Sequence, residues 1–426
     1  MTLQPGRTTV KTAFCRAAST HAQRHAIFRL LPVPFLMMIG TRMNRICLIP
    51  QMIAPMNSGR LFSVISFLVF TLSLKAQPGA VANPPVTNLP TAAVWQKLKT
   101  EPYRGKQDDI YFVNPDMGWY CNGAGKIFKT TDGGATWIQK ISQPGTYFRC
   151  LGFIDEQHGF AGNIGPDYFP GVTDSTPLYE TTDGGDTWKP VTSIKGGIPK
   201  GLCAIDVFRK PFINAGQLDY KTILHAAGRV GGPACLLKSD DNGATWSSQD
   251  LGQVCGMILD VKFLEPNVGV ICAASSADVE KSHALILMTE DGGKTWNKKF
   301  ESQRPYELTW KASFPSRNVG YVTLQNYDPD KAVTERFVAK TTDGGNTWVE
   351  IPLVNDKEAQ EFGVGFIDEE RGWVGSFRTG YETIDAGKTW KPAVMGAAVN
   401  KIRLLKTDKG VVGYAIGVNI YKLLIN

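Results

Sequence analysis

Acidic residues are absent from the first hundred positions of this 426-residue chain, the first being Glu101. Residues 1–76 hold nine Lys or Arg, and residues 77–426 have a net charge of −2, so the formal charge of +7 comes from the leading segment. A charge-balanced remainder lacks the clustered basic surface that attracts a polyanion. We therefore expect no nucleic-acid partner.

The sequence signatures of several enzyme classes are also missing. The chain has no CxxC pair, no CxxCH segment and no GxGxxG between a strand and a helix, and only His158, His225 and His283 follow residue 76. These absences argue against a zinc site, a Ser-His-Asp triad and a redox enzyme, so we expect no cofactor and no metal. The segment CNGAGKI (121–127) lacks phosphate-loop spacing and is predicted to form a hairpin turn.

The apolar run at 61–74 has fourteen residues, fewer than the about 20 that a membrane span needs. The run at 61–74 follows Arg60 and precedes the small Ala76, which is the three-part pattern of a signal peptide. We expect residues 56–76 to be a cleaved signal peptide, residues 77–93 a linker, and the protein to be periplasmic or extracellular. Residues 1–55 are interpreted as a non-native upstream extension, with translation starting at Met56.

Six of the eight cysteines follow the signal segment. Cys121 and Cys272 each lie three residues after a repeat glycine, Gly118 and Gly269, as two buried small side chains in the same register would. Export permits disulfides, but free cysteine is among the most buried residue types. We favour buried thiols over disulfides.

One octapeptide, which we call the box, occurs six times, at 130–137, 181–188, 239–246, 289–296, 341–348 and 383–390. Its first copy reads TTDGGATW, and successive box aspartates are separated by 51, 58, 50, 52 and 42 residues. This period matches the unit of a four-stranded propeller blade.

The box chemistry predicts a tight turn. Its aspartate accepts backbone N–H bonds, and we expect positive φ at the glycine two positions later but not at the intervening position, which is Ala386 in the sixth box. The tryptophan then starts a strand. We assign structural roles to Asp132, Gly134, Trp137, Asp183, Gly185, Trp188, Asp241, Gly243, Trp246, Asp291, Gly293, Trp296, Asp343, Gly345, Trp348, Asp385, Gly387 and Trp390.

A second signature precedes the boxes, as in FVNPDMGW (112–119). It begins with an aromatic residue or Leu, continues through a turn, and has Gly as its seventh residue, followed directly by a large residue. It predicts strand A, a turn and strand B, with strand C before the box and strand D after it. The third repeat, from Ile205, lacks the glycine. The last copy, 401–424, has no box, while AVWQKLKT (93–100) aligns with ATWIQKIS (135–142). We predict that residues 94–426 form an all-β, seven-bladed propeller of four-stranded antiparallel blades, closed by the N-terminal strand.

In such a fold the boxes share one face, and the B–C and D–A loops share the other. The second, fourth and fifth repeats have about ten extra residues between strands B and C, and we expect the third to be long there as well. Insertions on one face are typical of a binding face, where aromatic and Arg residues are favoured. The candidate binding residues on this face are Arg104, Tyr147, Arg149, Tyr168, Arg229, Arg304, Tyr306, Trp310, Tyr327, Arg336 and Arg378.

The box resembles the Asp-box, S/T-x-D-x-G-x-T-W, of the bacterial neuraminidase repeat, in a propeller related to WD40/YVTN-like repeats. The blade pattern F-x-D-x-x-x-G-W followed by TTDGG-x-TW resembles the photosystem II assembly and stability factor family. That resemblance implies a non-catalytic scaffold that binds a client membrane protein, partly through an arginine-rich face. We therefore expect a protein partner, membrane-associated by this resemblance, and a monomeric chain.

The alternative is a glycoside hydrolase of sialidase-like or xyloglucanase-like type with a carbohydrate ligand, since these enzymes share the Asp-box. The chain after residue 76 has no R-I-P segment of the kind that sialidases use. On the insertion face, Asp167, Asp328 and Glu335 are the candidates for a catalytic carboxylate pair. Glycosidases need the two carboxyl groups to be roughly 5 to 9.5 Å apart.

Overall fold

The computed structural model describes residues 93–425, and the signal segment and upstream extension predicted above lie outside them. This part of the chain is all-β: it folds into seven sheets, six of four strands and one of five, with one short 3₁₀ helix at Val279–Lys281. None of its helices is long and apolar enough to cross a membrane.

The strands follow one another along the chain and are grouped here by sheet. The first two sheets contain β2 (Gln107–Phe112), β3 (Gly118–Asn122), β4 (Lys126–Thr130) and β5 (Ile138–Ser142), then β6 (Phe148–Phe153), β7 (Gly159–Asn163), β8 (Leu178–Thr181) and β9 (Lys189–Pro190). The five-stranded sheet contains β10 (Ile194–Lys195), β11 (Ala204–Asn214), β12 (Gln217–Gly228), β13 (Cys235–Ser239) and β14 (Trp246–Asp250). The next two contain β15 (Met257–Phe263), β16 (Gly269–Ala274), β17 (Ala284–Thr289) and β18 (Asn297–Glu301), then β19 (Glu307–Ser313), β20 (Gly320–Asn326), β21 (Glu335–Thr341) and β22 (Val349–Asn355). The last two contain β23 (Glu361–Phe366), β24 (Gly372–Ser376), β25 (Gly380–Thr383) and β26 (Lys391–Ala393), then β27 (Lys401–Thr407), β28 (Gly410–Ile416) and β29 (Ile420–Ile425) with β1 (Trp95–Lys97).

The N-terminal strand supplies the fourth strand of the last sheet. β1 pairs antiparallel with β29, with Trp95 opposite Leu423. In the five-stranded sheet, β10 adds in parallel to β14, and all other pairings are antiparallel among the described strands. We call β2, β6, β11, β15, β19, β23 and β27 the first strands; each contacts the next along the chain, and β27 contacts β2.

The second signature reflects an aromatic ring that lies over a glycine. Phe112 at the end of strand A is directly opposite Gly118 at the start of strand B. A Cβ on Gly118 would lie 2.6 Å from the Phe112 ring, so no other residue fits unless the ring moves. The same pair recurs as Phe153/Gly159, Phe263/Gly269, Phe314/Gly320 and Phe366/Gly372.

Each box aspartate is held within its own turn. In the first box, Thr136 donates to Asp132 through its backbone N–H (2.9 Å) and its hydroxyl (2.5 Å), and Thr130 donates through its hydroxyl (2.7 Å). The N–H of Gly134 donates to the Thr130 hydroxyl (2.9 Å). These bonds, those from Thr136 above all, hold the pKa of Asp132 at about 2. The same four bonds recur in the other five boxes.

The boxes also connect neighbouring sheets through the carbonyl between the aspartate and the second glycine. The Trp119 indole donates to the Gly184 carbonyl (3.0 Å), Lys340 donates to the Ala386 carbonyl (2.9 Å), and Tyr414 donates to the Gly133 carbonyl (3.1 Å). In each case the donor belongs to the preceding sheet, and the last pair joins the last sheet to the first.

The expectation that positive φ is confined to the second glycine is wrong. The position before it also has positive φ, with 67° at Gly133, 59° at Asn242 and 63° at Ala386. Two consecutive left-handed residues turn the chain back sharply enough for Thr136 to reach both oxygens of Asp132. Ala386 therefore adopts a conformation that costs a residue with a Cβ about 1 kcal/mol or more.

We expect Ala386→Gly to raise the free energy of unfolding by about 1 kcal/mol, because glycine adopts positive φ without the Cβ penalty. The measurement is equilibrium unfolding in denaturant at pH 7. The matched control is Ala135→Gly, in a box position without positive φ, which we expect to lower stability by up to about 1 kcal/mol. Equal effects of the two substitutions would show that Ala386 carries no strain.

The extra length of the third repeat also lies elsewhere than we expected. It does not separate strands B and C, since β12 ends at Gly228 and β13 begins at Cys235. It extends strands A and B, because β11 and β12 pair from Ala204↔Ala227 to Asn214↔Gln217. Pairing of β12 with β13 stops at Leu224↔Ser239, where the box begins, so residues 208–222 project past it as a two-stranded ribbon on the box face.

Candidate functional site

The long B–C connections lie on the face opposite the boxes, as predicted for three repeats. They are residues 164–177, 275–283 and 327–334, whereas the first and sixth repeats have short turns at 123–125 and 377–379. The D–A loops open on the same face, where the first strands of the sheets begin. We call the centre of this face the mouth and define it by Lys106, Arg149, Trp310 and Phe362.

The mouth places cations on an aromatic floor. The rings of Trp310 and Phe362 meet edge to face with centroids 5.6 Å apart. The Lys106 ammonium lies 5.4 Å from the Trp310 centroid and 5.5 Å from the Phe362 centroid, and the Arg149 guanidinium lies 5.4 Å from that of Trp310. Such contacts favour cations at each position, and both rings belong to the buried core.

The charge of the mouth is not balanced. Arg149 pairs with Asp108, and both side chains are buried. Among the described residues, no carboxylate pairs with Lys106. Burial, followed by the nearby charge of Arg149, lowers the pKa of Lys106 to about 7. The mouth thus holds two basic side chains and one carboxylate, which favours an anionic or hydrogen-bond-accepting ligand.

Behind the mouth, charged side chains link neighbouring strands of different sheets. Asp109 accepts from Lys401 (2.5 Å), Arg403 (3.3 Å) and the Leu151 N–H (2.9 Å). Lys401 and Arg403 lower the pKa of Asp109 against the opposing effect of burial. Lys311 lies 3.4 Å from Asp260. A cavity of about 360 Å³ lies among these strands nearer the boxes, lined in part by Asp260, Lys311 and Arg403.

One side of the mouth carries an aromatic ledge from the second repeat. Tyr147 stacks on Phe169 with centroids 4.7 Å apart, and Tyr168 meets Phe169 edge to face at the same distance. The Arg229 side chain holds this insertion by donating to the carbonyls of Ile164 (3.2 Å) and Pro166 (2.8 Å). Tyr168 remains 39% exposed and is available to a partner.

The structure separates the candidate binding residues into three groups. Arg229, Arg304 and Arg336 donate hydrogen bonds within the fold: Arg336 to the carbonyls of Val333, Lys357 and Ala359, and Arg304 to Glu307 and Glu350. Arg149 and Trp310 lie in strands β6 and β19 and form the mouth. The residues that present side-chain surface on the insertion face are Arg104, Tyr147, Tyr168, Tyr306, Tyr327 and Arg378.

The three carboxylates considered for glycoside hydrolysis have different surroundings. Asp167 is exposed beside Lys200, Glu335 is exposed at the start of β21, and Asp328 caps its own loop by accepting from the N–H groups of Asp330 and Ala332.

Among residues 93–425, no three His, Cys, Asp or Glu side chains are grouped to hold a metal ion. The six described cysteines are free and buried, as we favoured, and burial raises the pKa of Cys121 and Cys272.

Sequence reasoning missed Lys106, Asp108 and Phe362. Lys106 and Asp108 lie shortly after Tyr103 and Arg104 in the sequence. A cationic residue next to a buried strand was the feature that could have indicated Lys106. Phe362 gave none, because its contact with Lys106 joins residues far apart in the chain.

Comparison with known proteins supports a propeller fold. No family model matches the chain. A search of known sequences matches xyloglucanase Xgh74A from Acetivibrio thermocellus, 29% identical over 131 residues, which is 27% of this chain and 14% of that enzyme. The chain therefore corresponds to a small part of this relative.

Solved structures with the same fold include two of YCF48. One, bound to a D1 peptide, has a TM-score of 0.53 and 15% identity and covers 84% of this chain and 100% of that one. The other, from Cyanidioschyzon merolae, has a TM-score of 0.54 and 15% identity over 78% of this chain and 98% of that one. A GH74 xyloglucanase from Xanthomonas campestris has a TM-score of 0.50 and 13% identity over 78% of this chain and 53% of that one. These likenesses identify the chain as all-β and similar in fold to propellers of both kinds.

Proposed function

We propose that the chain is an exported, non-catalytic scaffold that binds a protein partner at the mouth. In this proposal its seven sheets are the blades of a closed ring, and the boxes are Asp-boxes that fasten neighbouring blades. The observation that carries the proposal is the mouth itself, where Lys106 and Arg149 lie against Trp310 and Phe362 beside the Tyr147–Tyr168 ledge. Aromatic and Arg side chains of this kind dominate protein-binding hot spots.

The closed ring is supported by contacts between the ends of the chain. Phe112 of the first sheet stacks on Tyr414 of the last, with ring centroids 3.8 Å apart. The Asn400 amide donates to the carbonyl of Asp108 (2.8 Å), and Lys401 pairs with Asp109. A propeller whose last and first blades interlock in this way presents a continuous rim of loops around its mouth.

Peptide binding is also supported by the fold likeness to YCF48, whose structure was determined with a D1 peptide. We extend this to the present chain only as a partner class: a polypeptide segment that offers hydrogen-bond acceptors or carboxylates to the cations and apolar side chains to the exposed Tyr168. The buried carboxylates near the mouth, Asp108 and Asp109, are each paired with a cation. A general acid in a glycosidase requires instead a carboxyl group whose pKa is raised, and burial raises the pKa of Asp206, which lines the cavity nearer the boxes.

Site-specific photocrosslinking tests the proposal. A photoreactive amino acid replaces Tyr168 or Arg104 on the insertion face and, as matched controls, Ile138 or Val349, which are 62% and 60% exposed on outer strands. We expect a discrete protein adduct from envelope extract at the two mouth-face positions and none at the controls. Adducts of equal yield at all four positions would overturn the proposed face.

The second candidate function is glycoside hydrolysis, favoured by the 29% identity to Xgh74A. Its test is incubation of the purified chain with xyloglucan oligosaccharides, together with Asp167→Asn and Asp328→Asn variants. We expect no cleavage. Turnover that is lost in either variant would replace the scaffold with the hydrolase.

A further inference from the structure

The ribbon at 208–222 exposes apolar side chains away from any core. Ile213 is 70% exposed, Leu218 61%, Phe212 43% and Tyr220 41%. Single exposed apolar residues are ordinary on protein surfaces, but a contiguous set on a projecting element marks an interaction surface. None of these residues belongs to the mouth, which lies on the opposite face.

Strand register sorts the ribbon residues onto two faces. Directly paired residues of an antiparallel ribbon share a face, and alternate positions change face. The pairs Arg209↔Thr222, Pro211↔Tyr220 and Ile213↔Leu218 therefore share one face, which is apolar toward the tip. The pairs Lys210↔Lys221, Phe212↔Asp219 and Asn214↔Gln217 form the other face, which is mostly polar. The ribbon is thus amphipathic.

The charge of the ribbon is positive. It carries Arg209, Lys210 and Lys221 against Asp219, and the Arg209 guanidinium lies 4.4 Å from the Tyr220 ring centroid. The A–B turns of the two neighbouring sheets carry the exposed acids Glu156 and Glu265, and Glu265 pairs with Arg317. The ribbon therefore differs from the face that bears it in both charge and polarity.

We propose that this ribbon docks the protein on an anionic lipid surface. Its apolar face, Pro211, Ile213, Leu218 and Tyr220, would enter the boundary between headgroups and acyl chains, and its three basic side chains would contact lipid phosphates. From residue 208 to the turn at 215, the ribbon reaches roughly 20 Å at about 3.3 Å per residue. Ile213 and Leu218 thus lie near the tip, and Arg209, Lys210 and Lys221 follow them toward the base, where they would meet the headgroups.

A flat lipid surface suits this geometry better than a small ligand or a concave protein groove. The apolar residues lie on an element that projects from the fold, and a planar partner can meet all four at once. Docking through the box face also leaves the mouth directed toward the aqueous phase, so the two surfaces are independent.

Vesicle flotation of the full chain tests the proposal. The probes are phosphatidylcholine vesicles with or without 30% phosphatidylglycerol, and the variant is Ile213→Ser/Leu218→Ser. We expect the wild type to float with the anionic vesicles and the variant to lose at least tenfold in bound fraction, at an unchanged Tm because both side chains are exposed. The matched control, Ile138→Ser/Val349→Ser, has similar exposure on outer strands and retains binding. Equal flotation of the wild type and the ribbon variant would overturn the proposal.

Limited trypsin digestion gives a second, local measurement on the wild type. We expect anionic vesicles to slow cleavage after Arg209 and Lys221 by several fold without slowing cleavage after Lys281, an exposed residue on the opposite face. Unchanged cleavage at the two ribbon sites contradicts docking. Protection that appears without vesicles and rises with protein concentration would also overturn it, because a second copy of the chain would then cover the ribbon.

Discussion

Trp95→Ala is expected to lower the free energy of unfolding by about 3–5 kcal/mol, the usual loss when a buried tryptophan is truncated. Trp95 is 6% exposed although it stands only two residues inside the described chain. Its ring meets Trp373 edge to face with centroids 5.6 Å apart, and its backbone pairs with Leu423. The substitution therefore opens a cavity at the junction between the last sheet and its neighbour.

Thermal and denaturant unfolding at pH 7 measure this effect, and the neighbouring residues provide the controls. Val94 is 65% exposed and Gln96 is exposed, so Val94→Ala and Gln96→Ala should change the free energy of unfolding by less than about 0.5 kcal/mol. Deleting residues 94–99 removes β1 altogether and leaves β29 with an unpaired edge. We expect this deletion to cost at least as much as Trp95→Ala, and an unchanged Tm would refute the role of β1 in completing the last sheet.

The repeated features of the fold could be predicted from the sequence because each is a local device. The box joins residues four positions apart, as in the bonds from Thr136 to Asp132, and the pair Phe112/Gly118 lies within one hairpin. Six copies of such a device fix the period and the strand order. The role of Trp95 followed from the same register, since it stands where each box places its tryptophan.

Conformational detail at a repeated position was less predictable. Four glycines and one asparagine at the position before the second box glycine are compatible with positive φ, and Ala386 suggested otherwise. The fold tolerates the strain at Ala386 because the hydrogen bonds of its box and the bond from Lys340 to its carbonyl determine the turn. Local preference was overridden by contacts that the sequence pattern does not display.

The site was the least predictable part, since its contacts join residues far apart in the chain. Lys106 meets Trp310, and Asn400 donates to the carbonyl of Asp108, across most of the chain length. Composition favoured arginines on the insertion face, yet Arg229 and Arg336 donate to backbone carbonyls within the fold. Arginine on a loop is as suited to holding that loop as to binding a ligand, and only the positions of the acceptors distinguish the two uses.

His225 occupies a position that most sheets give to an aromatic residue. It lies opposite Lys238, in the register where the other second strands place Trp119, Tyr321, Trp373 and Tyr414. Its ring stacks on Phe263 with centroids 3.6 Å apart and is fully buried, and neither ring nitrogen has a hydrogen-bond partner. Burial, with a smaller contribution from the charge of Lys238, lowers the pKa of His225 to about 3.

This depressed pKa predicts a loss of stability in mild acid. In the unfolded chain a histidine binds a proton below a pH of about 6.5, whereas folded His225 does not do so until about pH 3. The unfolded state therefore gains protons first, and the stability contribution of His225 falls as the pH drops from about 6.5 toward 3. Between pH 7 and pH 4.5 the expected loss is about 2–3 kcal/mol. The box aspartates have low pKa values, about 2 at Asp132, so most of their own contribution to stability is lost at lower pH.

We expect His225→Phe to abolish this loss, because phenylalanine keeps the stack on Phe263 and carries no titratable group. The substitution also removes two unpaired ring nitrogens from the core and should raise the free energy of unfolding at pH 7 by about 1–2 kcal/mol. Denaturant unfolding of both proteins at pH 7 and pH 4.5 measures both effects, and the difference between the proteins isolates His225 from every other group that titrates in this range. His225→Gln, which keeps polar atoms in the core without a titratable group, should lose stability at both pH values and share the flatter pH dependence. If His225→Phe and the wild type lose the same free energy between pH 7 and pH 4.5, His225 is protonated in the folded protein and the depressed pKa is wrong.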